Sequence, residues 1–139
     1  MTSTERMKAL IEGMPVDRVG VSGWIHMPLV DQNVTDFTRA TINFTDSNGW
    51  DFVKLMYHGY FFAKAYGAKM TYSTDPKRWW ATIDQFVINH PHDFTTLKPL
   101  DIMKTSFADD IEFTKRVVDH YKGTCLLYTS DAADDTPCV

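Results

Sequence analysis

Two histidines lead the residues able to do chemistry. His26 and His58 each come directly after a short run rich in β-branched and aromatic residues, 19–25 and 52–57. An imidazole titrates near neutral pH and serves as acid, base, hydrogen-bond partner or metal ligand. In a parallel α/β fold, active sites gather at the carboxyl ends of strands, so neighbouring strand ends would bring both rings to one rim. Trp24, Tyr57 and Tyr60 flank them in sequence and offer flat apolar walls with polar tips. His58 is the candidate catalytic residue, and Trp24, His26, Tyr57 and Tyr60 are the candidates for binding a small-molecule substrate. The competing reading makes each histidine a cap on loop backbone or a filler of the cleft mouth, with Pro28 alone orienting His26.

Other features carry less chemistry. His90-Pro91-His92 has the look of a metal pair but lacks a third Cys, His or carboxylate at motif spacing, and a Pro-centred turn at a strand end explains it as well. No metal ligand is assigned. Trp79-Trp80 has the rings to stack on a flat ligand, or to divide between core and boundary. No GxGxxG, P-loop, GxSxG or HExxH motif is present, so nothing points to nucleotide binding or serine hydrolysis.

The elements that would position these residues are set by periodicity. Thr2 and Glu5 form a capping box ahead of Met7, Leu10, Ile11 and Met14 at helical spacing, and Gly13 with Pro15 ends that helix. Residues 19–25 read as a buried strand leaving at Pro28. Residues 31–47 read as a helix, with Val34, Phe37, Thr41 and Phe44 on one side and Asn48-Gly49 at its end. A second strand over 52–57 completes a β-α-β order and predicts a parallel crossover. Residues 60–66 suit one or two helical turns, 69–73 an edge strand, and Asp75-Pro76 the start of a short helix. Another strand is expected over 85–89. The last helix, 107–122, carries Ile111, Thr114, Val117, Val118 and Tyr121 as its stripe and Gly123 at its end.

The 139 residues carry a net charge of −4 and no basic run, a poor basis for binding a phosphate backbone, so no nucleic-acid partner is expected. No apolar stretch is long enough to span a bilayer and the N-terminus has no signal pattern, so a cytoplasmic location and no membrane partner are expected. Both cysteines, Cys125 and Cys138, fall in the final segment together with Asp131, Asp134 and Asp135. That segment, from Cys125-Leu126-Leu127-Tyr128-Thr129-Ser130-Asp131 onward, resembles the translation of a transposase-type sequencing adaptor. Residues 125–139 are therefore expected to be an artefactual, disordered tail, and 1–124 the biological part, cut rather than terminated. No disulfide is inferred.

Several phrases in 1–124 carry a family likeness. Glu5-Arg6-Met7-Lys8-Ala9-Leu10 leading to Pro15-Val16-Asp17-Arg18-Val19-Gly20-Val21 resembles the opening of the uroporphyrinogen decarboxylase superfamily. The likeness continues through Asp51-Phe52-Val53-Lys54-Leu55-Met56, Ala65-Tyr66-Gly67-Ala68 and Pro91-His92-Asp93-Phe94 to Leu100-Asp101. The resemblance implies an α/β fold, the N-terminal portion of a (β/α)8 TIM barrel, and a decarboxylase-like lyase of porphyrin biosynthesis. Two signatures depart from it. The family's Arg-Gln-Ala-Gly-Arg loop corresponds to Ile25-His26-Met27-Pro28-Leu29, and its Phe-Ser-Asp-Ile-Leu signature to Met56-Tyr57-His58-Gly59-Tyr60. Both substrate-holding arginines are thus replaced, and His58 stands where a carboxylate would face the pyrrole nitrogens, a role an imidazole cannot fill.

The Trp24-x-His26-x-Pro28 loop is similar to the divergent branch near the corrinoid- and coenzyme M-dependent methyltransferases. That likeness implies zinc held by later strands in the full-length protein, no cofactor within this fragment, and a corrinoid protein as partner. Taken alone, this opening portion is expected to be inactive. A small non-enzymatic α/β binding domain is the remaining alternative.

Overall fold

The computed structural model describes residues 1–75, 77–78, 80–124 and 126–129, the last four by backbone alone. In chain order its main elements are α1 (Ser3–Ile11), α2 (Val34–Asn48), β1 (Phe52–Leu55), α3 (Phe61–Ala65), β2 (Lys69–Thr71), β3 (Thr82–Gln85), α4 (Ser106–His120) and β4 (Leu126–Thr129), with 3-10 turns at Pro91–Thr96 and Ile102–Lys104. This is a mixed α/β chain. It divides into two compact units, one made of Met1–Ile25, Thr41–Met56 and Val117–Val139, the other of His26–Ala40 and Tyr57–Arg116.

In the first unit the capping box forms as expected. Thr2 Oγ1 accepts from the Glu5 amide at 3.2 Å, and the Thr2 amide donates to Glu5 Oε2 at 2.8 Å. The face that α1 buries differs from expectation: Ile11 and Met14 are exposed, and the buried side chain is Arg6. Its guanidinium reaches Asp17 Oδ1 at 2.7 Å and Asp51 Oδ1 at 2.5 Å. Asp51, fully buried, also accepts from Arg18, from Ser3 Oγ and from the Val21 amide. Burial pushes its carboxyl up, but the hydrogen bonds from Arg18, Val21 and Ser3 outweigh that and hold it at about 2.

The buried strand expected over 19–25 does not form. Val19 is 72% and Ile25 54% exposed, and the segment meets the start of β1 through few bonds, Asp51 N–H to Val21 C=O at 2.8 Å and Ser22 Oγ to Phe52 C=O at 2.6 Å. The glycines explain its course. A Cβ on Gly20 would collide with the Met7 sulfur, and one on Gly23 would lie 2.8 Å from Trp50 Cζ2, so the backbone is pressed against side chains rather than a partner strand. The parallel pair is instead β1 with β4, in register Phe52 to Leu126 through Leu55 to Thr129. Leu126–Thr129, within the expected tail, supply that partner, with Tyr128 and Thr129 as residue types enriched in strands. The rest of that tail lies outside the described residues. No barrel forms among the described residues.

The second unit is built on stacked rings. Phe37 of α2 stacks on Phe113 of α4 at 4.5 Å, and Tyr57 meets both edge-on or tilted at 5.9 Å. In this unit α4 buries Phe113 while Ile111 of the expected stripe is exposed; of the part of the stripe that falls in the first unit, Val117 and Tyr121, the latter just past the helix end, are buried and Val118 is exposed. On α2 this unit buries Phe37 and Thr38, and the first unit buries Thr41 and Thr45. Thr38 and Thr45 donate back to the preceding turn, Thr38 to Val34 C=O and Thr45 to Thr41 C=O.

β2 and β3 pair antiparallel, Lys69 with Gln85 and Thr71 with Thr82, with an irregularity at Lys69/Met70. The strand expected over 85–89 lies earlier, at Thr82–Gln85, where Thr71 and Met70 find partners. The short helix expected from Asp75 falls on Pro76 and Trp79, which lie outside the described residues. His90-Pro91-His92 opens a 3-10 turn, in which Asp93 Oδ2 accepts from the Asn89 and His90 amides at 2.8 and 2.9 Å.

Candidate functional site

A cavity in the second unit gathers most of the candidate residues. The loop before α2 turns twice, with the Val30 and Asp31 amides donating to Met27 C=O at 3.0 Å. Asn33, not Asp31, caps α2, its Oδ1 accepting from the Asp36 amide at 3.0 Å. Asp31 is left facing inward and buried. Three residues after β1, His58 turns the chain through Gly59 and Tyr60 into α3, its carbonyl accepting from Phe61 N–H. Tyr72 and Ser73 come after β2, and Trp80 and Ala81 precede β3. Together His26, Pro28, Asp31, His58, Gly59, Tyr60, Tyr72, Ser73, Trp80 and Ala81 line a cavity of about 250 Å³.

His58 is 5% exposed. Neither of its ring nitrogens has a hydrogen-bond partner among the described residues. Its neighbours are rings: Tyr57 at 4.5 Å, Phe61 at 6.3 Å and Tyr72 at 6.2 Å. Burial, with a smaller contribution from the Lys64 charge, lowers its pKa from 6.5 to about 4. It is therefore a neutral imidazole at pH 7, with one donor and one acceptor nitrogen uncommitted. Burial raises the Asp31 carboxyl, opposed by Gln32, whose amide donates to Oδ1 at 2.9 Å, and by the charges of His26 and Lys64. Tyr72 is raised by burial and by Asp31.

The sequence-derived candidates separate. His26, His58 and Tyr60 line the cavity together. Tyr57 does not; it is packed in the ring cluster, where burial and then Asp109 and Asp110 drive its phenol well above the ordinary range. Trp24 belongs to the first unit, with Lys54 Nζ 5.0 Å from its ring centroid. Asp31, Tyr72, Ser73 and Trp80 join the site, although nothing in their spacing marks them as a set. For Asp31 a signal exists: Asp31 and Asn33 are both good caps two residues apart, and one helix needs only one.

Among the described residues no three His, Cys, Asp or Glu side chains gather as a metal would require, so the residues present do not fit a zinc centre. No helix among them is long and apolar enough to cross a membrane. No family model, curated protein or solved structure matches the chain.

Proposed function

We propose that this chain is the opening portion of a (β/α)8 barrel of the uroporphyrinogen decarboxylase superfamily, and that its cavity holds a small organic molecule through His58. The observation that supports the site is the buried imidazole with both nitrogens uncommitted. Burying a polar group without a partner costs about 1–3 kcal/mol, and a ligand in the cavity that bonds one or both nitrogens removes that cost. Tyr60, Tyr72 and Ser73 are among the cavity's lining residues.

The reaction class rests on the resemblance: a decarboxylase-like lyase, which replaces a carbon–carboxylate bond by a carbon–hydrogen bond. A neutral His58 would orient the ligand by hydrogen bonds rather than by charge. A porphyrinogen with its many carboxylates is disfavoured, since no Arg or Lys is among the described residues lining the cavity.

Two measurements test the reading. Long-read sequencing of the source DNA across codon 124 should continue in frame through further strand–helix repeats; a genomic stop after codon 139 would overturn the barrel assignment. Long-range 1H–15N spectra of the histidine rings, recorded while small cationic, neutral and anionic ring compounds are added, should show His58 shifting with at least one class. No shift from any class would overturn the site.

A further inference from the structure

Resting on that cavity being a ligand site, the arrangement of its walls and its one buried carboxylate says what charge the ligand carries. Three aromatic residues, Tyr60, Tyr72 and Trp80, line one cavity, and Asp31 is the only acidic residue among its described lining. Asp31 is 7% exposed; the Gln32 side-chain amide donates to its carboxylate, and the charges of His26 and Lys64 act on it as well. A carboxylate withdrawn from water is stabilised by a further cation that reaches it. Aromatic faces attract cations through their quadrupoles, and a ring box beside a carboxylate is the arrangement that binds quaternary and alkylated ammonium groups.

Two of the rings already show this preference. Lys64 Nζ stands 5.9 Å from the Tyr72 centroid and the Arg78 guanidinium carbon 5.5 Å from that of Trp80. Neither residue lines the cavity. The charged or titratable groups that act electrostatically on Asp31 or feel its charge include His26, Lys64, Tyr57 and Tyr72. The buried His58, with both nitrogens uncommitted, adds a neutral donor and acceptor. We infer that the cavity selects a small organic cation, an alkylated ammonium bearing a hydroxyl or amide that bonds His58, over neutral and anionic molecules of the same shape.

The test uses the full chain and two probes of one shape, choline and its uncharged carbon isostere 3,3-dimethylbutan-1-ol, with propionate as the anion. Binding is read by Trp fluorescence and by the His58 ring signals. Choline should bind about tenfold or more tightly than the isostere, the size of one cation–π and carboxylate advantage. Asp31→Asn should bring the two together by weakening choline alone. Equal binding of choline and isostere, or tighter binding of propionate, would overturn the inference while leaving a ligand site in place. If none of the three moves His58, but another compound does, the inference falls and the site stands; if no compound does, both fall.

Discussion

His58 carries an unusual thermodynamic position for one side chain. It is buried, neutral and without a hydrogen bond among the described residues, so its presence weakens the fold. His58→Phe keeps a ring in the aromatic cluster and removes both orphan nitrogens; it should raise stability by about 1 kcal/mol in urea unfolding while abolishing ligand-induced changes. The depressed pKa sets a pH dependence. Between about 4 and 6.5 the unfolded chain binds the proton and the folded one does not, so stability falls as pH is lowered through that window and is unaffected by this group above it. Melting temperatures of wild type and His58→Phe should therefore diverge most near pH 4. Much of this site is legible in the sequence: His26, His58 and Tyr60 are the chemically capable residues at the exits of the two apolar runs. Tyr57 leaves the set because residues in an extended segment alternate faces and its neighbour His58 takes the cavity side, and Asp31 is hidden by its resemblance to a helix cap.

At the scale of elements, helices are more legible than strand pairings: strands expected over 52–57 and 69–73 form at Phe52–Leu55 and Lys69–Thr71, but that over 19–25 does not, for a physical reason. A helix closes its own hydrogen bonds, so caps such as Thr2 and Glu5 and glycines such as Gly49, at φ 63°, mark it locally. A strand needs a partner that the sequence does not name. Residues 19–25 have the composition of a strand, yet Gly20 and Gly23 let side chains press on the backbone, and the partner of β1 is β4. The helix faces are harder to read than the helices, since α1 buries Arg6 and α2 buries threonines. Two element-level outcomes are expected. Thr2→Ala should destabilise by about 1 kcal/mol through loss of the α1 cap, seen as a lower urea midpoint. Asp51→Asn should cost about 3 kcal/mol, as expected when one member of a buried ionic cluster is neutralised. Because the Asp51 carboxyl is held near 2 against an ordinary 3.8, its contribution is present above pH 4 and lost as pH falls toward 2, a lower window than that of His58.

For the whole molecule, the exposed apolar side chains bear on the barrel proposal. Val19, Val21, Trp24 and Ile25 in the first unit, and Phe86, Phe94 and Met103 in the second, are all exposed. Surfaces of that kind bind partners or one another, and in a barrel the remaining strands and helices would cover them. The chain should bind a hydrophobic dye and show concentration-dependent sedimentation in the micromolar range; a single monomeric species without dye binding would argue against the barrel proposal. The Asp51 cluster has a temporal side as well. Arg6 lies 45 residues before Asp51 and 11 before Asp17. At a synthesis rate of roughly 5–20 residues per second, the ribosome delivers Asp17 to Arg6 within about a second or two, but Asp51 only after roughly 2–9 seconds. The first carboxylate of the cluster is therefore in place before the one that buries the guanidinium has been made.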